Sequence, residues 1–213
     1  MKDILKKIEK TISRFNMLDY GNRVLVAVSG GPDSVVLLDV LDRLKESFSL
    51  DLVVAHFDHS LRPGDDERET RFVASLAVSK NIPFITQKAL SPPGKRGMSL
   101  EEEARDRRYE FLDHAKKTHG AQKIALGHTL DDQAETVIMR LLRGSGPAGL
   151  SGIPPVRNHD IIRPLIEVTR QEIQDYIVRR DLSHITDPSN LEKHHLRNRI
   201  RLDLLPQLKT YQP

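Results

Sequence analysis

The sequence predicts an α/β fold, a doubly wound, Rossmann-like parallel sheet of about five strands with a small helical C-terminal extension. Three observations carry this. Short β-branched runs alternate with longer stretches of helical period, the pattern of βαβ units. The first run, Val24 to Val28, passes through Ser29-Gly30-Gly31-Pro32-Asp33-Ser34 directly into an apolar helical stretch. Hydrophobic residues make up 38% of the 213-residue chain, enough for a core, and no stretch approaches the roughly eighteen uninterrupted apolar residues of a membrane span.

Taken in order, Ile4, Leu5, Ile8 and Ile12 recur at helical spacing in a charged segment, which predicts a surface helix rather than a signal peptide and so a cytoplasmic protein. Strands are expected near 23–28, 52–57, 83–87 and 123–127, with a weaker fifth at 160–163. Helices are expected near 34–46, 65–80, 99–118, 131–143 and 169–180. Two Pro/Gly-rich segments, 89–98 and 143–155, read as loops, the second either a linker or a substrate loop carrying Arg143 and Ser145. Residues 1–165 are expected to form the nucleotide-binding unit and 166–213 the helical extension.

The segment 29–34 has the chemistry of a pyrophosphate cradle. Gly30 and Gly31 let the backbone turn and approach a ligand, having no Cβ. The turn delivers free amides to a helix N-terminus, where the dipole favours negative charge. Ser29 and Ser34 add hydroxyls, Pro32 stiffens the turn, and Asp33 is either a cap or a ligand contact. The loop has no Lys of the Walker A kind.

Ligands of such sheets bind outside the carboxyl ends of the strands. The loops after 28, 57 and 127 therefore share one rim. His56, Asp58, His59 and Arg62 leave the second strand, and alternation sends His59 to the side opposite His56 and Asp58 unless the strand has ended. Contacts to nucleotide, Mg²⁺ or substrate fit them better than a transition-metal site. After the fourth strand come Gly127 and His128, then a helix whose Ala134, Val137, Ile138 and Leu141 fall on one face. Asp132 and Glu135 lie on the other face, and acids beside a phosphate site call for a cation, either Mg²⁺ or an amino-group substrate.

The helix beginning at Ser99 opens with a capping box, Ser99 with Glu102. Its apolar stripe is Leu100, Ala104, Phe111, Leu112 and Ala115, with Arg108 inside it and Arg105 at its edge. A buried Arg needs a carboxylate or a ligand phosphate. The chain has no cysteine, which excludes disulfides, thiolate metal sites and persulfide chemistry on its own residues. The net charge of +3 is mild, but the run 193–201 gathers Lys193, Arg197, Arg199 and Arg201 into a candidate nucleic-acid contact. A homodimer is compatible with the sequence.

Ser-Gly-Gly-Pro-Asp-Ser resembles the signature of the PP-loop ATP pyrophosphatases, which cleave ATP between the α and β phosphates and transfer AMP. In order along the chain, H56-F-D-H-S-L-R, E-E-E-A-R-D-R-R-Y-E-F-L, G127-H-T-L-D-D-Q-A-E-T, R-L-L-R-G-S-G-P-A-G-L-S-G-I, I-R-P-L, D187-P-S-N and R197-N-R-I-R-L-D-L-L-P resemble the tRNA(Ile)-lysidine synthase family. The resemblance implies adenylation of the wobble-cytidine C2 oxygen in a tRNA(Ile) with a CAU anticodon, followed by attack of the ε-amine of free L-lysine. It implies ATP and Mg²⁺ as cofactors. ATP contacts fall to Ser29, Gly30, Gly31, Pro32, Asp33, Ser34, His56, Gly127 and His128, with Asp33 bearing on Mg²⁺. Lysine falls to Asp132 and Glu135, and catalysis to Asp33, Arg105, Arg108, Asp132 and Glu135. Contact with tRNA falls to Arg143, Ser145, Arg197, Arg199 and Arg201. Members of the family often continue into further C-terminal domains, so this chain is expected to bind ATP but hold tRNA weakly. Another PP-loop adenylating activity, or a nucleotide-regulated tRNA-binding domain, stands as the alternative.

Overall fold

The computed structural model describes residues 4–60, 64–89, 100–186 and 196–211. Arg62, Ser99 with its capping box, most of the 89–98 loop, D187-P-S-N and Lys193 lie outside the described residues.

Six strands form one sheet: β1 (Arg23–Ala27), β2 (Asp51–Asp58), β3 (Phe84–Lys88), β4 (Lys123–Ala125), β5 (Val156–Arg157) and β6 (Ile161–Ile162), in the spatial order β3-β2-β1-β4-β6-β5. The five strands expected from the sequence run parallel, and the weak candidate at 160–163 is β6. The sixth, β5, is a two-residue antiparallel edge strand folded back on β6, too short to leave a periodic signal. The order reverses between β1 and β4, so the crevice outside their carboxyl ends is the switch point at which such sheets bind ligands.

Alternation along each strand feeds two cores. Val24, Val26, Val28, Leu52 and Val54 face one side, with α1 (Ile4–Arg14), α2 (Pro32–Phe48), α3 (Asp65–Ser79) and α6 (Arg170–Arg180) packed against it. Leu25, Val53, Ala55, Ile124 and Ile161 face the other, covered by Phe111, Leu112 and Ala115 of α4 (Leu100–Thr118). Helix α2 is sandwiched deeply enough to be nearly continuous in apolar residues from Val35 to Leu41. Ile173, Tyr176 and Ile177 of α6 belong to the same apolar cluster as α2. Among the described residues no helix is long and apolar enough to cross a membrane.

Helix α5 (Leu130–Leu142) departs from its sequence pattern. Its fully buried side chains are Asp132 and Glu135, whereas Ala134, Val137 and Ile138 are half-buried and Leu141 is 59% exposed. The helix sits across the rim rather than against the sheet, so its polar face turns inward. A 3₁₀ turn (Pro147–Ser151) follows, and the 143–155 segment folds back on α5. Arg140 donates to the carbonyls of Gly149 and Gly152, each at 2.9 Å, and Gln133 exchanges two 2.6 Å hydrogen bonds with the backbone of Ile153. The chain closes with a helical rod of α7 (Leu196–Arg199), a π turn (Ile200–Leu204) and α8 (Leu205–Tyr211).

A polar hub ties α2 to α3 and α6. Asp39, 1% exposed, accepts from Lys80 Nζ at 2.8 Å, Tyr176 Oη at 2.7 Å and Arg180 Nε at 3.4 Å. Burial alone would raise its pKa, but the bonds from Lys80 and Tyr176 outweigh burial and hold it below the usual carboxylate value. Its contribution is therefore present above the unfolded pKa and is lost as pH falls through the lower folded value. Asp39→Ala should cost about 3 kcal/mol in urea unfolding at neutral pH, because it strands three donors. The gap from wild type should narrow as the pH drops below about 4.

Candidate active site

The loop between β1 and α2 closes on its own serines, with the Gly31 amide donating to Ser29 Oγ at 3.4 Å. The Val28 amide still bonds the Ala55 carbonyl at 2.9 Å, so sheet order persists to the loop. Gly30 adopts φ +90°, which a side chain would strain, and its carbonyl accepts from the Ile185 amide at 2.9 Å. Ser34 Oγ donates to the Gly31 carbonyl at 2.9 Å and accepts from the Ser29 amide at 3.2 Å, which closes the turn. Helix α2 then begins with Gly31 as its N-cap and Pro32 in its first turn, and no side chain caps it. By contrast α5 and α6 carry full capping boxes, Thr129 with Asp132 and Thr169 with Glu172. The unsatisfied first turn of α2 is an anion site by dipole and by donor geometry.

A cavity of about 230 Å³ opens at the ends of β1, β2 and β4, lined among others by Ser29, Asp33, His56, His59, Arg108 and His128. Asp33 Oδ1 is shut off from solvent with no hydrogen-bond partner, and its pKa is pushed up to about 6, by burial first and the neighbouring Asp132 second. Arg108 Nε is likewise sealed and unpartnered. An orphan acid and an orphan guanidinium in one cavity suit a ligand bearing both anionic groups and a cation. Asp33 Oδ1 thus fits the expected Mg²⁺ contact. Gly127 brings β4 against this loop: a Cβ there would stand 3.3 Å from the Asp33 backbone carbonyl.

His56 Nδ1 lies 2.9 Å from the Val28 carbonyl, which can only accept, so Nδ1 carries the proton. Burial lowers the pKa of His56 and takes that of His59 down to about 4, with Arg108 adding to the second shift. The exception allowed for His59, that the strand has already ended, is the one that applies. Strand β2 ends at Asp58, so alternation no longer governs His59, which turns back into the cavity edge-on to Phe57 with ring centroids 4.9 Å apart.

The acid pair lies next to the cavity and is already engaged. Asp132 Oδ2 accepts from the Thr129 amide and hydroxyl at 2.8 and 3.1 Å, and Oδ1 accepts from Arg197 Nη2 at 2.8 Å. Glu135, wholly buried, accepts from Arg197 Nε and Arg201 Nε, both at 2.6 Å, with Arg201 Nη2 at 3.1 Å. Of the basic run, Arg197 and Arg201 therefore turn inward, and Arg199 faces solvent. Arg143 is exposed at the C-cap of α5, and the Ser145 amide bonds the Arg140 carbonyl at 3.0 Å. Arg105 is exposed over the Tyr109 ring, 5.3 Å from its centroid, on the flank of the cavity rather than inside it.

A family model described as a PP-loop domain matches residues 3–208. The chain belongs to the PP-loop domain family. Among curated relatives, it is 43% identical over 209 residues to the tRNA(Ile)-lysidine synthase of Clostridioides difficile (97% of this chain, 45% of that protein). It is 46% identical over 210 residues to that of Symbiobacterium thermophilum (96% and 43%). This PP-loop chain therefore spans somewhat under half the length of the curated relatives it matches. Among solved structures, the U34-tRNA thiolase NcsA of Methanococcus maripaludis, with its [4Fe-4S] cluster, superposes with a TM-score of 0.82 over 99% of this chain and 74% of that one, at 18% identity. That likeness bears on fold alone.

Two residues of this PP-loop domain were passed over in the sequence reading. Arg163 follows β6 at the same rim and is 1% exposed. The signal was available, since the rule that picked the loops after 28, 57 and 127 applies equally to the end of β6. Arg170 opens α6, its amide on Asp131 Oδ2 at 2.7 Å and its guanidinium 3.8 Å from Glu135; no local pattern marks it.

The raised pKa of Asp33 makes a prediction about stability. Between the unfolded value of 3.8 and about 6 the folded protein holds one more proton, so stability falls as pH rises through that window. Asp33→Asn should raise the stability of the ligand-free, EDTA-treated protein by about 2 kcal/mol at pH 8 and by little at pH 4, as read by urea titration.

Proposed function

We propose that this domain catalyses ATP-dependent ligation of free lysine to C2 of the wobble cytidine of tRNA(Ile) bearing a CAU anticodon. The curated relatives carry the name tRNA(Ile)-lysidine synthase. The observation that carries the chemistry is the uncapped N-terminus of α2, opening beside the orphan Asp33 carboxylate and the Arg108 guanidinium.

In this reading the β and γ phosphates of ATP take the amides at Gly30, Gly31 and the first turn of α2, with the hydroxyls of Ser29 and Ser34. The attacking atom is the cytidine C2 oxygen; its bond to the α phosphorus forms as pyrophosphate departs. Arg108 stabilises negative charge as it develops on the phosphoryl oxygens, in a cavity where low polarity strengthens the effect. Asp33 would hold Mg²⁺, which supplies charge neutralisation on the leaving pyrophosphate. In the second step the ε-amine attacks C2, AMP leaves with the C2 oxygen, and the proton released by the amine passes to a carboxylate of the rim.

The acids divide between two tasks. Glu135 is wholly buried and anchors Arg197 and Arg201, so its role is to hold α7 and the π turn on α5. Asp132 is the more accessible acid, and its partner Arg197 has a side chain 37% exposed, so that its Nη2 can leave Asp132 Oδ1 while its Nε stays on Glu135. The ammonium group of lysine takes the place of Arg197 on Asp132 Oδ1. Exposed Arg143 and Arg199, with Ser145, are assigned to tRNA contact, and the helical region after 165 to the tRNA-facing side.

The test is pyrophosphate release with ATP, Mg²⁺, lysine and either of the two CAU-bearing tRNAs. Wild type should release pyrophosphate with tRNA(Ile) and form lysidine only when lysine is present. Asp132→Ala should keep ATP affinity within about threefold yet raise the lysine requirement by at least about tenfold, the effect of one lost charge-assisted bond. Pyrophosphate release independent of any tRNA would remove the proposal.

A further inference from the structure

The buried Arg163 has a bearing on His128 that neither residue reveals alone. At 1% exposure Arg163 touches no solvent and is absent from the cavity lining, so its guanidinium is committed to the protein itself. Nη1 donates to the Pro154 carbonyl at 2.6 Å. Nε donates to His128 Nδ1 at 3.2 Å. A guanidinium has only protons to offer and keeps them at any working pH. His128 Nδ1 must therefore present its lone pair to Arg163, which leaves the ring's one proton on Nε2. Nε2 is the nitrogen left for the cavity, which His128 lines together with Ser29, Asp33 and Ser34.

We propose that Arg163 is a positioning residue that locks His128 in the neutral Nε2–H tautomer, so that the ring serves the polyphosphate of a bound nucleotide as a fixed hydrogen-bond donor and not as a base. This deepens the nucleotide reading above and rests on it for the identity of the ligand. A second proton on the ring is opposed from every side. Burial acts first, and Arg163, Arg108, Arg197 and Arg105 follow, together taking the His128 pKa down to about 3. His56 is the internal contrast. Its Nδ1 proton is spent on the Val28 carbonyl, so its Nε2 offers a lone pair. One cavity thus holds two neutral histidines of opposite tautomer, one set by a donor and the other by an acceptor behind it. A donor that never titrates keeps the phosphate contact independent of pH, and a ring that is not a base cannot take the proton released by the attacking amine. That duty stays with the carboxylates.

The experiment uses the full chain labelled with ¹⁵N-histidine. Two-bond ¹H–¹⁵N spectra are recorded from pH 5.5 to 8.5, with His128 and His56 assigned from the signals lost in His128→Gln and His56→Gln. The wild-type spectrum should show a protonated Nε2 and an unprotonated Nδ1 for His128, the reverse for His56, and no titration of either. In Arg163→Met the Nδ1–H form of His128 should become populated while His56 stays as it was. Affinity for a non-hydrolysable ATP analogue should fall by about tenfold. A His128 ring that titrates in the wild type, or carries its proton on Nδ1, overturns the proposal, as does a folded Arg163→Met protein with an unchanged His128 spectrum. If Arg163→Met does not fold, the wild-type spectrum decides. If the spectra are as expected but wild type binds no ATP analogue, the tautomer assignment stands and the nucleotide reading falls.

Discussion

The first turn of α2 carries no side-chain cap, and the rest of the rim is arranged around that omission. A helix N-terminus carries about four donors without internal partners, and a protein normally supplies a side chain to meet them. Here α5 and α6 do so with reciprocal capping boxes, while α2 and α3 start from glycines with no side-chain cap, and of these two only α2 follows the strand at the centre of the switch. The strand order makes the omission useful. Because β1 lies between β2 and β4, the loop that feeds α2 sits at the switch point, flanked by the exits of its two neighbours. Gly127 lets one of those exits pack against the start of α2, where an added Cβ would stand 3.3 Å from the Asp33 backbone.

Charge around this opening is distributed rather than cancelled locally. Asp132 and Glu135 are matched by Arg197 and Arg201, so the acid pair and its two partners are formally neutral. Asp33 and Arg108 are left with unpartnered atoms of opposite sign on the cavity wall. The two kinds of group have different physical uses. Matched ions buried at short distance fix one element against another, here the C-terminal rod on α5. Unmatched ions in a sheltered cavity are costly in the empty protein, and a ligand that carries the complementary charges recovers that cost on binding.

How much of this was legible in the sequence depends on the range of the interaction. The strand-to-helix turn was readable because glycines, serines and a proline at fixed offsets act within six residues. The parallel sheet was readable because β-branched runs and helical periods alternate. The apolar stripe of α4 was right at Phe111, Leu112 and Ala115, since that helix does cover a sheet face. At α5 the periodicity separated the two faces, but it is the polar one that is covered, with Glu135 wholly buried and Leu141 largely exposed. Amphipathicity reports which face is apolar, not what the helix rests on. Helix α5 rests on two arginines 62 and 66 residues further along the chain, and no local rule reaches that far. Charge counting saw the 193–201 run as one basic surface, whereas helical geometry sends Arg197 and Arg201 to one side and Arg199 to the other. The side taken by His59 turned on where the strand ends, and β2 stops one residue before it.

The pairing of Asp132 with Arg197 and Arg201 also bears on Asp33. Left bare, Asp132 would push the Asp33 pKa further up. Arg170 and Arg201 oppose that effect and help keep Asp33 near 6, so that it is ionised under ordinary conditions. Arg201 therefore acts at two distances at once. At contact range it holds the π turn on Glu135, and at longer range, with Arg170, it lowers the pKa of the orphan carboxylate. In the proposed reaction, an ammonium that takes the place of Arg197 Nη2 on Asp132 keeps a positive charge on that acid. The acidic wall would then change occupant with its electrostatic balance unchanged, as a reaction admitting first a polyanion and then an amine requires.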